Sequence, residues 1–268
     1  MRLLWANLRR LRRRPATWVT FLLLVGLLLL VLLAVVAGAK TAREAQAMLG
    51  ARMFVTFPGA YELVLSMVLG IGGLLSVTYG AAIAGSEWQW GTLKAAIARG
   101  ESRGRYTLAG LAGVVVYTWL GVLLAFLVGV AGAAVGALVV GVPLDGMSDA
   151  DTLGHLPEVF ARTGLSTAMH AAFGFAVATV ARSQLAGIGV GIGLFFGEGI
   201  AGIFLSDVVK WFPFAASDAV LSGGGTVSAG GMTLTSLDPD VAAIVTAAWL
   251  LGFVLLATIW TERAEISG

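Results

Sequence analysis

From Trp18 to Gly38 the chain carries no charged residue, and as a helix rising about 1.5 Å per residue such a stretch spans the roughly 30 Å hydrocarbon core of a bilayer. Uncharged runs recur between Glu62 and Glu87, Arg105 and Asp145, Arg162 and Arg182, and Asp240 and Glu262, while Ser183 to Ser206 is interrupted only by Glu198. Soluble domains carry about 25% charged residues. Here 12% of 268 residues are charged and 58% are apolar, so the expected fold class is an all-α membrane protein with six transmembrane helices. The predicted spans are 16–39, 62–84, 106–140, 162–181, 184–206 and 241–261 of one transmembrane domain, 1–268. The third uncharged run, Tyr106 to Leu144, would reach nearly 60 Å as one continuous helix. One long helix is expected over two short ones, because Val114 to Val140 holds no charge, proline or polar cluster to solvate a hairpin, though Gly129, Gly132, Gly136 and Gly141 allow a bend.

Ahead of the first span, residues 1–15 predict an interfacial (elbow) helix. Leu4, Leu8 and Leu11 form a stripe beside Trp5, Arg9, Arg10, Arg12, Arg13 and Arg14 can meet lipid phosphates, and Pro15 turns the chain into the bilayer. Ala37-Gly38-Ala39 resembles a signal-peptide cleavage site, but the run before it exceeds the usual h-region, so the first helix is expected to be kept. With six spans and an inside amino end, twelve of the seventeen basic residues fall on one side: Arg2, Arg9, Arg10, Arg12, Arg13, Arg14, Lys94, Arg99, Arg103, Arg105, Arg182 and Arg263. The positive-inside rule then places both termini in the cytoplasm. On the other side, 40–61 and 142–161 are expected to be loops. Segment 207–240 is a mixed element whose aromatic half, Lys210 to Phe214, dips into the interface as a lid or merely anchors among headgroups, and whose glycine-rich half, Ser222 to Gly225, is a mobile turn.

Few polar residues remain to carry chemistry. Glu198 lies inside the fifth span, where a carboxylate either faces a transport pathway or is satisfied by a packing hydrogen bond. Glycines 187, 189, 191, 193, 197 and 199 read as small-residue helix packing, with Gly187 and Gly191, and Gly193 and Gly197, spaced for close approach. Ser166 and His170 share a helical face but lack a nucleophile elbow and an orienting acid, so no catalytic residue is assigned. There is no cysteine, no metal-ligand spacing and no phosphate-binding loop, so any ATP hydrolysis belongs to another protein.

Between the second and third spans stands a polar island, Gly85 to Lys94, followed by Arg99, Arg103 and Arg105. Its string Glu87…Gly91-Thr92-Leu93-Lys94…Ser102-Arg103, together with six spans and a basic surface helix, resembles the permease subunits of ABC-2-type transporters. The motif likeness covers about residues 85–105. Glu101 stands where that family usually has proline, and the ending Thr261 to Glu265 follows its tail only loosely. The resemblance implies that 85–100 is a cytoplasmic coupling helix, with Glu87, Trp88, Trp90, Gly91, Thr92, Leu93, Lys94 and Arg103 meeting a separate ABC ATP-binding subunit. Glu87 would pair with that partner's basic groups, and Gly91 and Thr92 would allow close approach and cap the turn. Two such subunits, holding ATP and Mg, and a second permease copy, identical or a sister chain, are the implied partners beside membrane lipids. Nucleic acid is not among them, and this chain itself binds no cofactor.

Export across the plasma membrane is the direction the resemblance implies. A stand-alone ion-coupled transporter would need inverted repeats and broken spans, towards which only Glu198 gestures. A membrane-embedded enzyme would need a catalytic constellation that the polar inventory does not offer.

Overall fold

The computed structural model describes residues 2–41, 52–221, 225–229 and 232–264. Its helices are α1 (Arg2–Arg12), α2 (Pro15–Thr41), α3 (Gly59–Gln89), α4 (Thr92–Ala98), α5 (Arg103–Val140), α6 (Ala150–Ala181), α7 (Gln184–Val209), α8 (Pro213–Ala219) and α9 (Pro239–Arg263). A short antiparallel hairpin, β1 (Gly225–Ala229) and β2 (Met232–Ser236), pairs Gly225 with Ser236 and Ala229 with Met232. Six helices, α2, α3, α5, α6, α7 and α9, are long and apolar enough to cross a membrane, which makes this a multi-pass membrane protein.

Lipid tails are as apolar as leucine, so close packing rather than water exclusion selects which spans touch. Helices α3 and α6 form the centre, with 56% and 78% of their most apolar windows buried against 11% for α7. A Cβ at Gly80 would collide with the Ala171 carbonyl and one at Gly174 with the Val77 carbonyl, so the two backbones cross where only glycine fits. A second apolar cluster joins Leu24, Leu28 and Leu32 of α2 to Val64 and Val68 of α3 and Val122 and Ala133 of α5.

Helix α5 is continuous, as its composition predicts. Its glycines do not interrupt it; Gly129 and Gly136 receive Leu28, Val36, Val55 and Val64 from the neighbouring elements. Helix α7 leans on the centre through Gly187, against Ala81 and Ala178, and through Gly191, against Val77. The expected second pair does not pack within the chain, since Gly193 and Gly197 face open space.

Several boundaries differ from expectation. Residues 85–100 are not one helix: α3 runs on to Gln89, and Gly91, at φ 65°, turns the chain into the shorter α4. Segment 142–161 is mostly helix, because Asp149 caps α6 by accepting the Thr152 N–H at 2.9 Å and its hydroxyl at 2.5 Å, contacts that hold its carboxyl below the usual carboxylate range. Segment 207–240 ends α7, forms the buried helix α8 and then the hairpin. Of the expected mobile turn, Ser222 to Gly225, Gly225 opens β1 and residues 222–224 lie outside the described residues.

Candidate functional site

The polar island is built where α1 meets the turn from α3 into α4. Arginines cannot enter hydrocarbon unpaired, so α1 lies across the base of the spans. Its Leu11 is inserted into the core at 1% exposure, and the Leu8 carbonyl accepts the Tyr117 hydroxyl at 3.0 Å. At the bend into α2 the Thr17 hydroxyl donates to the Leu11 carbonyl at 2.8 Å, with Pro15 opening the new helix.

This places two guanidinium groups on one carboxylate. Glu87 Oε1 accepts Arg14 Nη2 at 2.6 Å, and Oε2 accepts Arg10 Nη1 at 3.0 Å, the Tyr106 hydroxyl at 2.6 Å and the Thr92 hydroxyl at 2.5 Å. Arg14 also donates to Ser86 Oγ at 2.6 Å, while Arg10 reaches the Tyr106 oxygen at 2.6 Å and Asn7 Oδ1 at 2.5 Å. The side chains of Glu87 and Arg14 are only 9% and 10% exposed. Four elements, α1, α3, α4 and α5, are therefore tied at one buried point by charge-assisted hydrogen bonds.

The rest of the motif divides between structural and surface roles. Leu93 is buried and packs with Ala96, Tyr106 and Trp88. Arg103 donates to the Ala264 carbonyl at 2.6 Å and fastens α5 to the end of α9. The Arg14 guanidinium lies 5.2 Å from the Trp90 ring and that of Arg182 lies 5.0 Å from the Trp88 ring, so the α6–α7 turn joins the same end. Glu87 therefore does not point outward to a partner's basic groups as the resemblance implies: Arg10 and Arg14 of its own chain already occupy it. Thr92 donates to Glu87, and the N-terminal position of α4 is taken by Gly91. What faces outward is Trp90, 68% exposed, with Gln89, Lys94, Arg99, Ser102 and Arg105.

Of these participants, the sequence reading missed Asn7, Ser86 and Tyr106, and it read Arg10 and Arg14 as lipid contacts alone. One signal was available, since a glutamate closing an apolar span demands a cation, and the amino-terminal segment holds the densest group of arginines in the chain.

Arg9, Arg12 and Arg13 are exposed and border a groove together with Trp5, Leu8, Arg10 and Tyr117.

Glu198 is the second sequence candidate. It is 5% exposed, and its Oε2 accepts the backbone N–H groups of Phe214 at 3.0 Å and Ala215 at 2.8 Å, fixing the start of α8 between α6, α7 and α9. Phe214, 1% exposed, packs 4.9 Å from the His170 ring and 5.0 Å from that of Phe173. Phe214 thus enters the bundle, while Trp211 and Phe212, 48% and 41% exposed, stay at its surface. Ser166 and His170 form no nucleophile and base pair, because the serine hydroxyl donates to the Ser217 carbonyl at 3.0 Å and His170 Nδ1 lies 2.7 Å from the Ser166 carbonyl.

A family model described as a protein of unknown function (DUF2705) matches residues 55–267, which span α3 to the end of α9. No curated protein matches the chain.

Proposed function

This chain belongs to the DUF2705 family, and from its site we propose that it is the membrane-spanning permease subunit of an ABC-2-type transporter. It would sit in the plasma membrane with both termini cytoplasmic and export its cargo using ATP bound, with Mg, by two copies of a separate subunit. A second permease, identical or a sister chain, completes the complex. The observation that carries this reading is the bracket around Glu87. It braces a short exposed helix against α1, α3 and α5, so a push on α4 is delivered to a span and to the elbow helix at once.

Charge favours the same arrangement. Arg10, Arg14, Arg103 and Arg182 gather at one end of the bundle by direct contacts, with Lys94 on α4 beside them, whereas Arg162 at the other end is bound by Glu158 and Asp240. The positive-inside rule then sets the α4 end in the cytoplasm. Lys94, Arg99 and Arg105 make the exposed face basic, so the partner groove is expected to be acidic, with an apolar recess for Trp90.

The test is purification of the tagged chain from its native membrane. An ATP-hydrolysing subunit should copurify, and Trp90→Ala combined with Lys94→Glu should remove it while the permease stays folded, its melting temperature lowered only by loss of these side chains' contacts such as that of Trp90 with Arg14. Transport by the purified chain with no companion defeats the reading.

A further inference from the structure

Beside α7, in the half remote from the arginine bracket, lies a cavity of about 430 Å³ whose lining includes Glu198, Lys210 and Asp218 together with Phe196, Ile203 and Phe214. This volume lies in the range of small-molecule sites. Apolar walls with a few convergent polar groups are what such sites use to hold and orient a ligand.

The decisive atom is Glu198 Oε1. Whereas Oε2 is engaged by two backbone N–H groups, Oε1 is buried and meets no hydrogen-bond donor among the described residues. A buried carboxylate oxygen left in that condition is unfavourable, and a ligand bringing an N–H donor removes the penalty. The sign of the site follows from its neighbours. Lys210 is held by Asp207 at 3.2 Å, so its charge is matched there and the Glu198 carboxyl sets the character of the lining.

We propose that this cavity binds an amphipathic amine, its ammonium group donating to Glu198 Oε1 and its apolar body lying against Phe196, Ile203 and Phe214. As a cargo class this rests on the permease reading, but the binding step needs neither ATP nor a partner. The ammonium can belong to a free amine or to an aminolipid headgroup.

The experiment uses the full chain in nanodiscs of phosphatidylcholine and phosphatidylglycerol, with a fluorescent decylammonium probe and the matching decanol. Saturable binding is expected for the ammonium, about tenfold or more tighter than for the alcohol, the size of one charge-assisted hydrogen bond. Glu198→Gln keeps an oxygen for the Phe214 and Ala215 N–H groups but presents an amide donor to the ligand, and should weaken the ammonium by a similar factor. Gly199 also lines the cavity and has open space where a Cβ would stand, so Gly199→Leu fills the site, favours the helix and should abolish saturable binding. Equal affinity for ammonium and alcohol, or undiminished binding in either variant, overturns the proposal. If Glu198→Gln does not fold, Gly199→Leu still decides. Competition by added phosphatidylethanolamine assigns the amine to a lipid headgroup, and its absence to a free amine; both support ammonium recognition. Failure of any ATP-hydrolysing partner to copurify with the unsubstituted chain defeats the permease reading and leaves this site standing.

Discussion

Glu87 shows how a single carboxylate can organise a membrane protein's edge. Two guanidinium groups and two hydroxyls converge on it, and the Arg14 side chain is as buried as Glu87's own. Removing one member of such a pair strands the other, at about 3–5 kcal/mol. Glu87→Ala should therefore lower the melting temperature of the detergent-purified chain, and Glu87→Gln, which still accepts from Tyr106 and Thr92, should lower it less. Replacing both partners, Glu87→Leu with Arg14→Met, should recover part of the loss because no unpaired charge remains. A Glu87→Ala protein as stable as the parent would show that the bracket is ornamental. Its four partners come from positions 10, 14, 92 and 106, a convergence that no local spacing announces.

At the level of helices, glycines that look alike in sequence do different things. Gly174 lies where a Cβ would strike the Val77 carbonyl, while Gly193 has nothing within 4 Å. Gly174→Val should accordingly push α3 and α6 apart and destroy the folded monodisperse species in size-exclusion chromatography. Gly193→Val should leave this chain's own fold intact. Equal tolerance at both positions would contradict the described α3–α6 crossing. The turn at Gly91 is a third case. Its positive φ is one that side chains with a Cβ enter at a penalty of roughly 1–2 kcal/mol, so Gly91→Val should tilt α4 and expose the α3–α4 junction to limited proteolysis.

For the whole molecule, the separation of charge between the two ends is the property most open to direct test. The sequence contains no cysteine, so single cysteines can be placed without background. In intact cells a membrane-impermeant maleimide should label a cysteine at Asp151, beside the α6 cap, and should miss one at Arg99 until the membrane is opened. The opposite pattern would invert the molecule and remove α4 from reach of a cytoplasmic partner. The same experiment bears on Glu198 and its cavity, which lie in the half of α7 away from Arg182 and Trp88.

Sequence alone determined the number of spans, the continuity of α5 and the amphipathic character of α1, because each depends on a local quantity: the distance between charges, the absence of breakers, or the placing of leucines around a turn. It also marked Glu87 and Glu198 as exceptional, since an acid within or beside an apolar run demands an explanation. Which groups answer that demand was decided only in three dimensions. Arg10 and Arg14 reach Glu87 because α1 folds back beneath α3, and the Phe214 and Ala215 amides reach Glu198 because α8 enters between α6, α7 and α9. Apolar helices slide past one another with little change in hydrophobic energy, so register is set by the few places where a missing side chain admits a backbone or a charge finds its counterpart.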